Sequence, residues 1–163
     1  MIERTAEGLY CRAADAWVDP WRPVPRALIT HAHADHARAG CGEYWAVDVS
    51  EGVLRQRLGQ EICLHPVRYG EPIWLGQCRV SFHSAGHVLG SAQIRLESEG
   101  EVWVVSGDYK RDDDPSCAPF EPVACDVLIT EATFGMPIYR WKPGSELATE
   151  IREWWQGDRS RPS

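Results

Sequence analysis

Long apolar runs, an excess of basic residues and closely paired cysteines, each the mark of a whole class of protein, are all missing from this 163-residue sequence. No stretch approaches the roughly 18 apolar residues that a membrane helix requires, and the N-terminus MIERTAEGLY has no basic segment leading into an apolar one. The sequence therefore predicts a cytoplasmic protein with no membrane partner. Seventeen Lys and Arg against 24 Asp and Glu give a net charge of −7, which argues against holding nucleic acid by bulk charge alone; a polyanionic substrate would need local help. Six cysteines stand far apart with no CxxC pair, which excludes zinc-ribbon and thioredoxin-like motifs. Without a secretory signal they are expected to be free, mostly as small buried hydrophobes. Internal repeats and low-complexity tracts are also missing. What is present, 44% hydrophobic and 25% charged residues, suffices for a real core at the length of one ordinary domain. Eight tryptophans suggest elements packed through large aromatic surfaces, with Trp154 and Trp155 also suited to a partner interface.

Short apolar or alternating runs bounded by Gly, Pro and Asp outnumber helical patterns, so the expected class is a strand-rich α/β protein. Strands are expected over 9–12, 16–19, 27–30, 43–46, 62–67, 72–74, 78–83, 92–97, 102–106 and 127–130. Helical periodicity occurs twice. Over 49–58 it places Val49, Val53, Leu54 and Leu58 on one stripe, with Ser50 or Asp48 as cap; over 145–155 it aligns Leu147, Ile151, Trp154 and Trp155. Glu99-Gly100 reads as a hairpin turn, and 156–163 as a polar tail.

Three of the six histidines fall within His31-Ala32-His33-Ala34-Asp35-His36, directly after the apolar run Arg26-Ala27-Leu28-Ile29-Thr30. A strand that ends in such a loop projects imidazoles from the carboxyl edge of a sheet, and His-x-His lets two rings on one side reach the same ion. Further donors must come from elsewhere in the chain. His87 is flanked by Gly86 and Gly90, which permit a tight backbone, and Asp108 follows the apolar strand pattern 102–106, where a carboxylate needs ionic or hydrogen-bonded partners.

These segments, with Ala85-Gly86-His87-Val88-Leu89-Gly90, Ser106-Gly107-Asp108 and Thr130-Glu131-Ala132-Thr133-Phe134-Gly135, resemble the metallo-β-lactamase superfamily and, within it, the β-CASP nucleases. From Gly8-Leu9-Tyr10-Cys11 through Pro137-Ile138-Tyr139-Arg140-Trp141 the chain looks like bacterial ligase-associated DNA exonucleases. The resemblance implies an α/β fold, the αββα sandwich of that superfamily, of which only the first half is present, as a strand-rich mixed sheet with flanking helices. It implies Zn2+, with Mn2+ as an alternative, in a two-metal site with ions about 3.5–4 Å apart. His31, His33 and His87 would bind one ion, Asp35 and His36 the second, and Asp108 would bridge them. Asp19 would orient the ligand loop from behind. Asp35, Asp108 and Glu131 would be the catalytic carboxylates, and Lys110 and Arg111 could meet phosphate oxygens. The implied activity is a DNA exonuclease working in repair through a metal-activated hydroxide, with a DNA ligase and a helicase as functional neighbours.

The family's later parts, a β-CASP cap and a returning second half with a further histidine ligand, have no counterpart here, and no histidine follows Glu131. The expectation is an incomplete metallo-β-lactamase-like domain over 1–155, with the first metal site complete and the second short of one ligand. Self-association through an uncovered sheet face is expected as well. His65 and His83 are the spare histidines, His83 with a structural role. Two alternatives stay open: a thioester or lactam hydrolase of the wider superfamily, and a metal-binding fragment that turns nothing over.

Overall fold

The computed structural model describes residues 1–157 other than Phe134, Pro137, Arg140, Trp141 and Pro143. The excepted positions include one residue of the Thr130–Gly135 motif and three of the segment 137–141, and most of the expected tail 156–163 also lies outside the described residues. The chain divides into two compact units, Met1–Glu131 and Ala132–Ser163.

The first unit is built from two mixed β-sheets and one short helix. In the six-stranded sheet, β1 (Ile2–Thr5) and β3 (Ala16–Val18) each pair antiparallel with β2 (Gly8–Cys11) between them. Strands β4 (Arg26–Leu28), β5 (Glu43–Val47) and β6 (Leu64–Val67) then continue parallel to β3. The five-stranded sheet comprises β7 (Ile73–Leu75), β8 (Cys78–Ser84), β9 (Ala92–Ser98) and β10 (Glu101–Val105), all antiparallel, and β11 (Val127–Ile129) parallel to β10. The β9–β10 hairpin turns at Glu99-Gly100, both with positive φ (53° and 79°), as a two-residue turn that matches strand twist requires.

The alternation of β8 and β9 turns Val80, Phe82, Ile94 and Leu96 toward Val18, Leu28, Trp45 and Val47 of the other sheet, all in one buried cluster. Sequestering this apolar area is what holds the two sheets face to face. On the far side of the six-stranded sheet, Ala27, Ile29, Tyr44 and Ala46 pack with Leu54 of helix α1 (Glu51–Leu58) and with Ala32 and Ala37 of the histidine loop. The far face of the five-stranded sheet is mixed, carrying exposed Trp74 and Leu128 beside a band of charged and polar residues. There Arg79 and Arg95 both pair with Glu97, and His83 lies 3.0 Å from Ser81 Oγ and 2.9 Å from Glu121 Oε1, a structural role for that histidine.

The structure corrects several sequence expectations. Strand β1, which carries Glu3 and Arg4, has no apolar alternation and was not anticipated; it is an edge strand held by pairing with β2. Strand β6 starts at Leu64, two residues later than expected. In α1 only Leu54 is buried, while Val49 and Val53 are exposed. Ser50 does not cap the helix: its hydroxyl donates back to the Val47 carbonyl, closing the 3-10 turn Asp48–Ser50. All six cysteines are free, but only Cys11 and Cys78 are buried. Among the described residues Trp45 is the buried tryptophan, whereas Trp21, Trp74, Trp154 and Trp155 are exposed. Within the second unit, helix α2 (Gly144–Gly157) aligns Leu147, Ile151, Trp154 and Trp155 with helical spacing, all of them exposed. Among the described residues, no helix is long and apolar enough to cross a membrane.

Candidate metal centre

Two parallel strand pairs, one in each sheet, deliver the polar residues of the site from their C-terminal ends: Asp19 follows β3, Thr30 and His31 follow β4, Ser106–Asp108 follow β10, and Thr130 and Glu131 follow β11. Such an edge gathers loops from separate strands at one place. Two contacts join the sheets there. The Ala92 N–H donates to the Thr30 carbonyl (2.8 Å). Gly107, at φ +56°, lies so close to Thr30 that a Cβ would sit 2.6 Å from the Thr30 Cβ.

The donor atoms converge. His31 Nε2 lies 2.9 Å from His33 Nδ1, which lies 3.4 Å from His87 Nε2. Asp108 Oδ2 stands 3.9 Å from both His31 Nε2 and His87 Nε2. Its other oxygen, Oδ1, is 3.4 Å from His36 Nε2, which in turn is 3.8 Å from Asp35 Oδ2. Asp108 thus stands between two donor groups with one oxygen toward each.

Hydrogen bonds behind the rings fix which nitrogens are free. Asp19 accepts from the Thr30 N–H (2.8 Å) and hydroxyl (2.5 Å) and from His36 Nδ1–H (2.7 Å). With its proton committed to Asp19, the Thr30 oxygen accepts from His31 Nδ1–H at 3.1 Å. In its neutral form each ring then turns the Nε2 lone pair toward Asp108. Burial, with the neighbouring His36, His33 and His87, pushes the His31 pKa down to about 2. Burial also lowers that of His87. His36 goes the other way: burial works against its charge, but the hydrogen bond and charge of Asp19, with Asp108 and Asp35, raise its pKa.

This donor set fits a divalent cation. Two nitrogens at about 2.0–2.1 Å from a tetrahedral ion are themselves about 3.3 Å apart, against 2.9 and 3.4 Å here. Imidazole nitrogens this close need either a proton or a cation between them, and a cation satisfies all three rings at once. His31, His33, His87 and Asp108 would hold one ion, and His36, Asp35 and Asp108 offer donors for a second.

His87 is aimed by the loop between β8 and β9. Ser91 Oγ accepts the N–H groups of His87 (3.0 Å) and Val88 (3.1 Å). Gly86 (φ +69°) packs against the Lys110 carbonyl oxygen and Gly90 (φ +73°) against Ser50, with no room for a Cβ at either.

A cavity of about 460 Å3 opens beside the cluster, lined by Asp19, Asp35, His36, Asp108 and Glu131 among others. Asp35 is exposed, with 80% of its side chain accessible. Glu131 Oε1 accepts the Tyr109 N–H (3.0 Å), which holds its carboxylate on the wall. Lys110 and Arg111 do not line this cavity; the Lys110 ammonium pairs with Asp114 at 2.9 Å, and Arg111 is exposed. Sequence reasoning missed Thr30, which links Asp19 to His31, and Gly107, which seats against it. Their adjacency to His31 and Asp108 was the available signal, but the hydrogen-bond relay exists only once β3 and β4 are paired.

No protein-family model matches the chain. Among curated proteins it is 32% identical over 148 residues to a probable DNA ligase of Opitutus terrae, covering 90% of this chain and 14% of that protein. It is 34% identical over 162 residues to a ribonuclease of Thermus thermophilus (83% of this chain, 37% of that one). It is 35% identical over 78 residues to the cleavage and polyadenylation specificity factor subunit 3 of Dictyostelium discoideum (47% and 10%). These relatives, with the two-sheet fold and the His/Asp cluster at its edge, place the chain in the metallo-β-lactamase superfamily, whose nucleases use metal ions. Its branch is that of the β-CASP nucleases, and the chain spans well under half the length of each of these relatives.

Proposed function

We propose that this chain carries the metal-binding part of a nucleic-acid phosphodiesterase with the αββα sandwich of its superfamily and Zn2+ as the metal. The observation that supports this reading best is the convergence of His31, His33 and His87 on Asp108, whose second oxygen faces His36 and Asp35 beside the cavity. Divalent ions held by these side chains supply Lewis acidity to a phosphoryl oxygen and bring the pKa of water toward neutrality. The chain's own residues do the rest. Asp108 sets the spacing of the two donor groups, and Asp19 and Thr30 fix the imidazole tautomers. Asp35, exposed in the cavity, would accept a proton from an attacking water through whichever oxygen is not engaged as a donor to the ion. Ions held by these residues would also give a polyanion local attraction that the net charge of −7 does not supply.

The finer reading is an exonuclease acting on DNA ends in repair, supported by the relative named a probable DNA ligase, which is similar over 90% of this chain. A DNA ligase as functional neighbour rests on the same relative. RNA is the second reading, favoured by the similarity to a ribonuclease over 83% of the chain. End-labelled DNA and RNA of the same sequence, incubated with the purified protein and Zn2+ or Mn2+, test both. Metal-dependent release of nucleotides that disappears in His33→Ala and Asp35→Ala supports the phosphodiesterase, and the preferred polymer selects the substrate. Metal uptake with no release from either polymer would overturn it in favour of a metal-binding fragment.

A further inference from the structure

The six-stranded sheet carries a second set of metal-type donors at its opposite edge. Glu43 opens β5, Cys63 immediately precedes β6, and His65 is the second residue of β6. Parallel pairing brings the three together: the Tyr44 N–H donates to the Cys63 carbonyl (2.8 Å), and Trp45 lies in register with His65. His65 Nε2 is 3.0 Å from Glu43 Oε2 and 3.6 Å from Cys63 Sγ, and the three donor atoms lie within 4.8 Å of one another.

The surroundings hold these groups in place. The His65 ring stacks on Trp45 with centroids 4.1 Å apart and planes 18° from parallel, which fixes the direction of Nε2. Arg26 lies 3.6 Å from Glu43 Oε1, the oxygen turned away from His65, and its guanidinium sits over the Trp45 ring. The other oxygen, Oε2, stays with the histidine and the thiol. A tetrahedral zinc ion with sulfur at about 2.3 Å and nitrogen at about 2.0–2.1 Å places those two atoms about 3.6 Å apart, the separation found between Cys63 Sγ and His65 Nε2. Thiolate, imidazole and carboxylate together suit a borderline-soft divalent cation better than calcium or magnesium. Cys63 is exposed, and Glu43 and His65 are part-exposed, so a fourth position is open to water.

We propose that Glu43, Cys63 and His65 form a separate binding site for a zinc-class ion, at the sheet edge opposite the histidine cluster. Cobalt substitution tests it, because the histidine cluster contains no sulfur and only this site gives a thiolate-to-cobalt charge-transfer band in the near ultraviolet. Chelator-stripped protein titrated with Co2+ is expected to develop that band, saturating at one ion per chain. The band is expected to vanish in Cys63→Ser and His65→Gln and to persist in a His33→Ala, His87→Ala double variant. Bound zinc measured by elemental analysis should fall by one ion per chain in Cys63→Ser, whose exposed side chain is not needed for folding. Absence of the band in the native sequence, its survival in Cys63→Ser, or its loss in the double variant would each overturn the proposal.

Discussion

Replacing Asp19 by Asn keeps the side chain's shape and inverts the proton bookkeeping of the candidate centre. Asp19 accepts three hydrogen bonds, from the Thr30 N–H, the Thr30 hydroxyl and His36 Nδ1–H. An asparagine can still accept the backbone N–H through its oxygen, but its amide then presents a donor to His36 Nδ1 and to the Thr30 oxygen. His36 must move its proton to Nε2, the nitrogen now facing Asp108 at 3.4 Å. The Thr30 hydroxyl must release its proton toward His31 Nδ1, which sends the His31 proton to Nε2, 2.9 Å from His33. Both nitrogens that would bind metal become donors. Loss of an outer partner of this kind weakens metal binding by about 10–100-fold, about 1.4–2.7 kcal/mol. Removing the charge-assisted bond to His36 costs the metal-free fold about 1.5–3 kcal/mol more. Zinc titration calorimetry on wild type and Asp19→Asn reads the first figure, chemical denaturation in chelator the second, and the 15N shifts of the His31 and His36 rings report the tautomers. Affinity within twofold of wild type with both Nε2 atoms still unprotonated would refute this account.

Gly107→Ala should destabilise the protein by about 2–4 kcal/mol, because positive φ disfavours a Cβ and the methyl would overlap Thr30; a denaturation midpoint indistinguishable from wild type would show that the turn relaxes freely. The metal-free protein should lose stability as pH falls below about 6.5. His31 stays neutral in the fold, with a pKa near 2, while the unfolded chain takes up a proton at the ordinary histidine value, which removes about 2–3 kcal/mol by pH 4.5. His36, whose folded pKa is raised, acts in the opposite sense: its contribution is present at low pH and is lost as pH rises through its folded value. Thermal melts in chelator from pH 8 to 4.5, with an NMR titration of the His31 ring, separate the two; a His31 that titrates near 6.5 would contradict the buried neutral ring.

Much of the site was legible because its donors are local in sequence. His31, His33, Asp35 and His36 occupy one six-residue loop, and the glycines around His87 and before Asp108 announce turns that only a positive φ can make. Strand β1 escaped notice because an edge strand needs no apolar alternation. The cysteines were misjudged because residue type sets only a tendency to burial. Cys63 lies just before a strand at the sheet edge, where one side remains open to water.

The sequence by itself determined which chemistry is available: an imidazole-rich loop behind an apolar strand, a glycine-framed histidine, and carboxylates after further strands. Periodicity and turn residues are local properties, and they can be read without knowing what packs against what. Only the tertiary structure decided which of these groups meet and in what protonation state. The Asp19–Thr30–His31 relay requires β3 and β4 to lie side by side, and the placement of Asp108 between His31, His87 and His36 requires the two sheets to close on their shared core. The meeting of Glu43, Cys63 and His65 depends in the same way on the register of β5 against β6. The decisive contacts, Asp108 with His31, His36 and His87 and Glu43 with His65, join residues far apart in the chain, and their geometry is set by burial of apolar side chains that take no part in the chemistry.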